Sequence, residues 1–299
     1  MKLRNLWLVS LCLCVSISEI IQAGELPVIF VSILPQLEAV REIGKNICEG
    51  DALLAYGQSP EMFQFDARTI ESLRKSPLYL GIGLPFEQRL FVKLQQSLPE
   101  LKLVDASKNM HHRCFEGVKH IMMITNPQTT TPGTDPHVWL SIQNMMLYAN
   151  TVQQNLILLF PDQKETIVKN AAAYCIKLGL LQKQLQDELR PYHGQQILVY
   201  HPAFGYFLDD LGLSQKAVEK NGKAPTGKYL ESLMMDIPKL NISTLFCLPQ
   251  FNDRFAKMLA HRLNLKLVKI DPLPENYSEG LKKLASQIRD SMEIVPAEK

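Results

Sequence analysis

The sequence predicts an α/β protein of two lobes, each a mostly parallel sheet flanked by helices, with one long helix joining them. Three observations predict it. Short apolar runs alternate with helical periodicities from residue 28 to residue 124, and such alternation implies a parallel sheet with helices on its faces. The same theme returns from residue 197 to the C-terminal end. Between them, Ile167, Ala171, Tyr174, Cys175, Leu178, Leu181, Leu185 and Leu189 recur at three- and four-residue spacing, with neither proline nor strand signal across residues 163–190. A helix of about 28 residues at ~1.5 Å per residue reaches ~40 Å, the length of a spacer between two halves.

The expected division is a leader at 1–23, a first lobe at 24–162, the linking helix at 163–190 and a second lobe at 191–299. In the first lobe, residues 28–33 read as a strand, and the helix after Pro35 turns Leu37, Val40, Ile43 and Ile47 to one side. Leu53, Leu54 and Ala55 read as a second short strand, running into the loop Gly57-Gln58-Ser59-Pro60-Glu61. Residues 67–73 are helical, 78–82 a strand, 86–98 a helix, and 101–104 and 120–124 two further strands. Asp135 ahead of Pro136 is a helix-opening signal, with a helix expected over 145–159.

In the second lobe, strands are expected at 197–200, 215–219, 244–248 and 265–270. Helices fall at 203–210, 227–240, 254–263 and 278–292.

Composition narrows the function. The chain has 299 residues, 46% apolar and 21% charged, with a net charge of +2. That is an ordinary globular balance. No basic stripe interleaved with aromatics stands out, which argues against nucleic acid. Lys2 and Arg4 precede an apolar core from Leu6 to Val15, and Ala23-Gly24 follows as a small-residue site, the pattern of a secretory signal peptide. Ser16, Ser18 and Glu19 leave that core too short to span a bilayer. A lipid-modified cysteine is not supported, because Leu11 and Leu13 precede Cys12 and Cys14 where a small residue is wanted. Beyond the leader remain Cys48, Cys114, Cys175 and Cys247. They form no CxxC pair for a thiolate zinc site, and they read either as disulfides in one of three pairings or as buried free thiols.

Four residues stand where a metal site could form. His201 closes a strand and faces the start of a helix, and ligands bind beyond the carboxyl ends of strands in open α/β sheets. Asp271 ends the last strand, and like His201 it is followed by proline. Glu61 follows Pro60 in the loop beyond the second strand, and His137 follows Pro136 at a helix start. Two imidazoles and two carboxylates suit a divalent transition ion. Each residue alone also has an ordinary structural reading: a satisfied histidine, a strand-end cap, or a charge favoured by a helix dipole. His111-His112 reads as part of a solvated loop. No phosphate loop, HExxH pair or GxSxG elbow is present.

Several motifs in order resemble the metal-specific solute-binding proteins of ABC importers, the cluster with zinc- and manganese-binding members. They are Ser32-Ile33-Leu34-Pro35, the 57–61 loop, Asp135-Pro136-His137-Val138-Trp139-Leu140 and Asn170-Ala171-Ala172-Ala173-Tyr174. The series continues with His201-Pro202-Ala203-Phe204-Gly205-Tyr206-Phe207, Pro249-Gln250-Phe251 and Ile270-Asp271-Pro272-Leu273. The resemblance implies two lobes bridged by a rigid helix, with the metal in the cleft between them. It also implies His137 and His201 as ligands from opposite lobes, and Asp271 as an acidic ligand.

The zinc-type loop is Ser-Pro-His, where this chain has Ser59-Pro60-Glu61. That carboxylate makes the site harder and better suited to manganese or iron(II), whereas His201 is the zinc-type residue. Cys247 resembles one partner of a family disulfide, but no second cysteine lies near the C-terminus. The implied function is an exported, periplasmic, monomeric, non-enzymatic receptor. It binds a divalent transition metal, zinc before manganese or iron, and delivers it to a membrane permease with its ATPase. A zinc-dependent hydrolase with Glu61 as general base and a surface adhesin on the same fold are the alternatives.

Overall fold

The computed structural model describes residues 25–115, 133–220, 222–240 and 242–292. The chain builds two four-stranded sheets, every pairing parallel. In the first lobe these are β1 (Val28–Val31), β2 (Glu49–Ala52), β3 (Leu78–Gly81) and β4 (Lys102–Asp105), in the order β2-β1-β3-β4. In the second they are β5 (Gln196–Val199), β6 (Ser214–Ala217), β7 (Thr244–Cys247) and β8 (Lys266–Lys269), in the order β6-β5-β7-β8. The two sheets share one winding order. Of the inner strands, β3 and β7 are buried at every position and β1 and β5 at three of four, as a sheet covered on both faces requires.

Helices α1 (Leu37–Ile43), α2 (Ala67–Ser72), α3 (Pro85–Ser97) and α4 (Ile142–Leu159) belong to the first half of the chain. Local chemistry sets their starts. Asp66 accepts from the Thr69 amide at 2.9 Å to cap α2, and Ser141 accepts from the Asn144 amide at 3.3 Å to cap α4. The joining helix α5 (Lys164–Leu189) has 26 residues and buries Ile167, Ala171, Tyr174, Leu178, Leu181, Leu185 and Leu189. That is the predicted stripe, except that Cys175 is only half-buried. The second half adds α6 (Gly205–Asp210), α7 (Gly227–Asp236), α8 (Arg254–Arg262) and α9 (Tyr277–Arg289). α5 packs against α1, α4 and α9.

Although α9 follows β8 in sequence, its start is tied to the first lobe. The Ser278 amide donates to Glu38 Oε2 at 2.9 Å, and the Tyr277 hydroxyl donates to the Trp139 carbonyl at 2.9 Å. The Trp139 indole in turn donates to the Pro272 carbonyl at 2.7 Å. These bonds hold the end of the last strand close to the first lobe.

Some expectations shift. The second strand is Glu49–Ala52, not residues 53–55. It lies at the sheet edge, where Glu49 and Asp51 face solvent, so the polar run pairs through its backbone and the apolar residues follow it. The Asp135-Pro136 signal opens a 3-10 turn at Val138–Leu140, and the α-helix begins only after Ser141. Cys48, Cys114, Cys175 and Cys247 are all free thiols. The expected leader and the strand at 120–124 lie outside the described residues, and no helix among those described is long and apolar enough to cross a membrane.

Candidate metal centre

β5 delivers its terminal imidazole to the space between the lobes. The strand ends at Val199, Tyr200 still pairs by its amide with the Phe246 carbonyl at 2.7 Å, and His201 follows at the carboxyl edge. The first lobe supplies His137, just ahead of the 3-10 turn. Both histidines are buried, at 2% and 5% exposure. Their Nε2 atoms face each other at 3.4 Å. Glu61, on the loop after β2, places Oε1 3.0 Å from His201 Nε2. Among the described residues, Glu61, His137 and His201 are the one group of three potential ligands whose donor atoms lie within 4.8 Å of one another.

Behind each imidazole stands a carboxylate. Asp135, fully buried, accepts from His137 Nδ1 at 2.7 Å and from the His137 amide at 3.0 Å. Glu219 accepts from His201 Nδ1 at 2.7 Å. Because a carboxylate only accepts, both rings carry a proton on Nδ1 and turn Nε2 into the pocket. Such carboxylate–histidine pairs orient metal-binding imidazoles and make them better donors.

Asp135 is held in its turn. Arg113 Nη1 lies 3.2 Å from its Oδ2, and Arg113 Nε lies 3.0 Å from Asp209 on α6. Tyr206, also on α6, accepts from the Arg113 amide at 2.9 Å and donates to the Asp135 carbonyl at 3.1 Å. The guanidinium passes directly over Gly205, where a Cβ would sit 1.1 Å from Nη1. A side chain there would require the guanidinium to move.

Electrostatics follow from this arrangement. Burial alone would depress the His201 pKa, but the hydrogen bonds and charges of Glu219 and Glu61 outweigh it and push it up to about 9. Burial raises Glu61, yet the neighbouring His201 and His137 hold it below its ordinary value. At neutral pH a proton on His201 therefore bridges to Glu61, in the place a cation would take.

The pocket around these atoms is lined further by Trp139, Gln250, Phe251 and Leu273. It encloses about 20 Å3, room for one water-sized species. Trp139 lies 5.3 Å from the His137 ring and Phe251 lies 5.4 Å from the His201 ring, centroid to centroid, so apolar faces wall the imidazoles. The turn closed by Lys220 and Lys223 crosses close by. Gly222, at φ +71°, sits where a Cβ would be 3.6 Å from His201 Cε1 and 3.9 Å from Glu61 Oε1.

Of the four residues singled out in the sequence, three come together. Asp271 lies outside that cluster: its Oδ1 accepts from Gln250 Nε2 at 2.6 Å and from the Leu273 amide at 2.9 Å. His111 and His112 are also elsewhere, the His112 ring bonded to the Ser107 carbonyl at 2.9 Å. Two residues of the centre were not anticipated from sequence. In the sequence Asp135 reads as a helix opener, although an Asp two residues before a histidine is within reach of its ring. Glu219 was read as a strand end, and only the β5–β6 pairing, extended by the Glu219 amide to the Tyr200 carbonyl at 2.9 Å, brings it beside His201.

A family model for the periplasmic zinc-uptake complex component A, ZnuA, matches residues 29–293. The chain belongs to the ZnuA family. A protein of Chlamydia muridarum named for metal binding is 23% identical over 267 residues, covering 88% of this chain and 90% of that one. The zinc-binding lipoprotein AdcA of Streptococcus pneumoniae serotype 4 is 25% identical over 300 residues, covering 94% of this chain but 57% of AdcA. A crystal structure of ZnuA superposes with a TM-score of 0.80 at 27% identity, covering 90% of this chain and all of that one. The ZnuA family supplies metal-binding solute receptors to ABC importers, where they work with a permease and an ATPase; its members are transport components rather than enzymes.

Proposed function

We propose that this chain is an exported periplasmic receptor that captures zinc as a monomer and presents it to the membrane permease. Glu61, His137 and His201 are its protein ligands. The observation that carries the reading is the pair of Nε2 atoms 3.4 Å apart, each ring backed by a carboxylate. Two nitrogens bound at ~2.0–2.1 Å to one tetrahedral zinc stand about 3.3–3.4 Å from each other. The separation supports a shared ion between the lobes.

Two imidazoles favour zinc over manganese, and the affinity order of divalent ions runs the same way. Glu61 is the feature that favours a harder ion, so manganese or iron(II) is the second reading. A hydrolytic role finds less support. Glu61 lies against His201 as a ligand would, and the space beside the imidazoles holds an ion or a water.

Elemental analysis of protein isolated from its native compartment, followed by competition between zinc and manganese, tests the metal. Zinc in the isolated protein, with manganese unable to displace it, is the expected result. The companion variant His201→Ala should lose tight binding while keeping its fold, and near-wild-type calorimetric affinity there would remove His201 from the site.

A further inference from the structure

Away from the metal centre, Glu87 is a carboxyl group buried without a cation. It stands in the first turn of α3 and is 2% exposed. Its Oε2 accepts from the Gly83 amide at 2.8 Å and the Ile82 amide at 3.0 Å. Oε1 lies 3.0 Å from the same Ile82 nitrogen and is bonded to the Ser32 hydroxyl. Ser32, just after β1, meets the Tyr79 hydroxyl of β3 at 2.6 Å, and both residues are fully buried. Gly81 leaves the room: a Cβ there would lie 2.6 Å from Glu87 Oε2.

Among the described residues, the titratable groups that act on Glu87 are Tyr79, Asp105 at the end of β4 and Tyr148 on α4, and no Lys, Arg or His pairs with it. A carboxylate taken out of water without a cation is costly, so burial favours the neutral acid. Burial and the Asp105 charge outweigh the hydrogen bonds from Ser32, Ile82 and Gly83, and the Glu87 pKa is pushed from 4.5 up to about 7.

The hydrogen bonds suit either form with no heavy atom moved. When Glu87 is ionised, Oε1 accepts from Ser32, and Ser32 accepts from Tyr79. When Oε1 carries a proton, it donates to Ser32 Oγ and Ser32 donates to Tyr79, while Oε2 keeps both amides. A hydroxyl both donates and accepts, so the chain reverses its direction.

We propose that Glu87, Ser32 and Tyr79 form a buried proton-binding chain that takes up a proton on acidification and thereby stabilises the metal-free receptor. The folded protein holds this proton more tightly than the unfolded chain does. The added stability is therefore fully present below pH 4.5 and lost as pH rises through about 7. It runs against the metal: acid displaces zinc from His201 and removes the stabilisation zinc gives, and the Glu87 proton offsets part of that loss. Only this opposition rests on the ligand set proposed above, and the proton chain is tested without any metal.

The test is carbon NMR of the chelator-treated protein labelled at its glutamate δ-carbons, titrated with pH in wild type, Glu87→Gln and Ser32→Ala. One glutamate should titrate near pH 7 in wild type and be missing from Glu87→Gln. Ser32→Ala should move that midpoint to higher pH, because a hydrogen bond to the ionised carboxylate is stronger than one to the neutral acid. In denaturant unfolding, the folding constant of wild type relative to Glu87→Gln should rise about tenfold per pH unit as pH falls from about 7 towards 4.5. Should Glu87→Gln fail to fold, the wild-type and Ser32→Ala titrations decide. Every wild-type glutamate titrating near its ordinary ~4.3, a midpoint that Ser32→Ala leaves in place, or a stability ratio flat across that range overturns the proposal.

Discussion

His137 and His201 come from different lobes, 64 positions apart in the chain, and meet with their Nε2 atoms 3.4 Å from one another. Each turns that atom to the pocket with its Nδ1 held by a carboxylate, Asp135 or Glu219. The centre is therefore a pair of oriented imidazoles, and an ion bound between them would join the lobes. Adding zinc should raise the unfolding free energy by about 2.7 kcal/mol at a free concentration one hundred times the dissociation constant. Thermal or denaturant unfolding at increasing zinc measures this. A midpoint that does not move with zinc would show that the ion is not bound to the folded state.

Glu219→Gln removes the charge behind His201 and lets the amide present either end to the ring. Zinc affinity should fall by about 10–100-fold with the fold intact. Asp135→Asn should have a comparable effect through His137. Chelator competition beside circular dichroism separates loss of affinity from loss of structure, and an unchanged affinity in both variants would deny the two carboxylates an orienting role.

Protons compete with the metal at His201. Its pKa is raised to about 9 by Glu219 and Glu61 against the opposing effect of burial. The ion-free receptor therefore holds a proton there at neutral pH, and zinc must displace it. Affinity should be greatest above pH 9 and fall about tenfold per pH unit below it, with close to one proton released per zinc at pH 7. An unperturbed histidine would put the fall near ~6.5. Calorimetry in buffers of different ionisation enthalpy counts the proton, and a count near zero at pH 7 would contradict the raised value.

As a ligand, Glu61 would harden the site. Glu61→His replaces its oxygen by a third imidazole and should widen the preference for zinc over manganese. Selectivity is read from competition between the two ions, and an unchanged ratio would count against Glu61 as a ligand.

Gly205→Ala places a methyl group where Arg113 Nη1 lies, 1.1 Å from the position of its Cβ. The guanidinium must leave Asp135, a buried carboxylate that then loses its cationic partner. A loss of about 1–3 kcal/mol of stability is expected from the overpacking, with weaker zinc binding through His137. Denaturant unfolding and the competition assay measure both, and a variant as stable as wild type would show that Arg113 has an equally good second position.

What could be read from the sequence followed physical locality. The long helix stood out because Ile167 to Leu189 keep one apolar stripe with nothing to break it, and its observed bounds, Lys164–Leu189, fall within a residue of the expected span. The inner strands were visible as apolar runs. β2 was not, because an edge strand needs only its backbone to pair: Glu49 and Asp51 carry no apolar signal, and Gly50 fits beneath Val40 and Leu37, where a Cβ would meet them at 3.1 and 3.2 Å.

At the site, Glu61, His137 and His201 were legible from strand ends, prolines and motif order. The side chains that aim them were harder to see. Glu219 reaches His201 only through the pairing of two parallel strands. The Gln250–Asp271 contact likewise joins the ends of β7 and β8, a relation that spacing along the chain does not encode.

The most direct measurement of the central claim, that one histidine from each lobe binds a single zinc, is zinc K-edge X-ray absorption on the loaded protein. The account predicts a four-coordinate first shell of nitrogen and oxygen at ~2.0–2.2 Å, with outer-shell scattering from two imidazoles. Loss of one imidazole in His137→Ala, and of the other in His201→Ala, completes the expected result. A first shell of oxygen alone, or wild-type imidazole scattering in either variant, would contradict it.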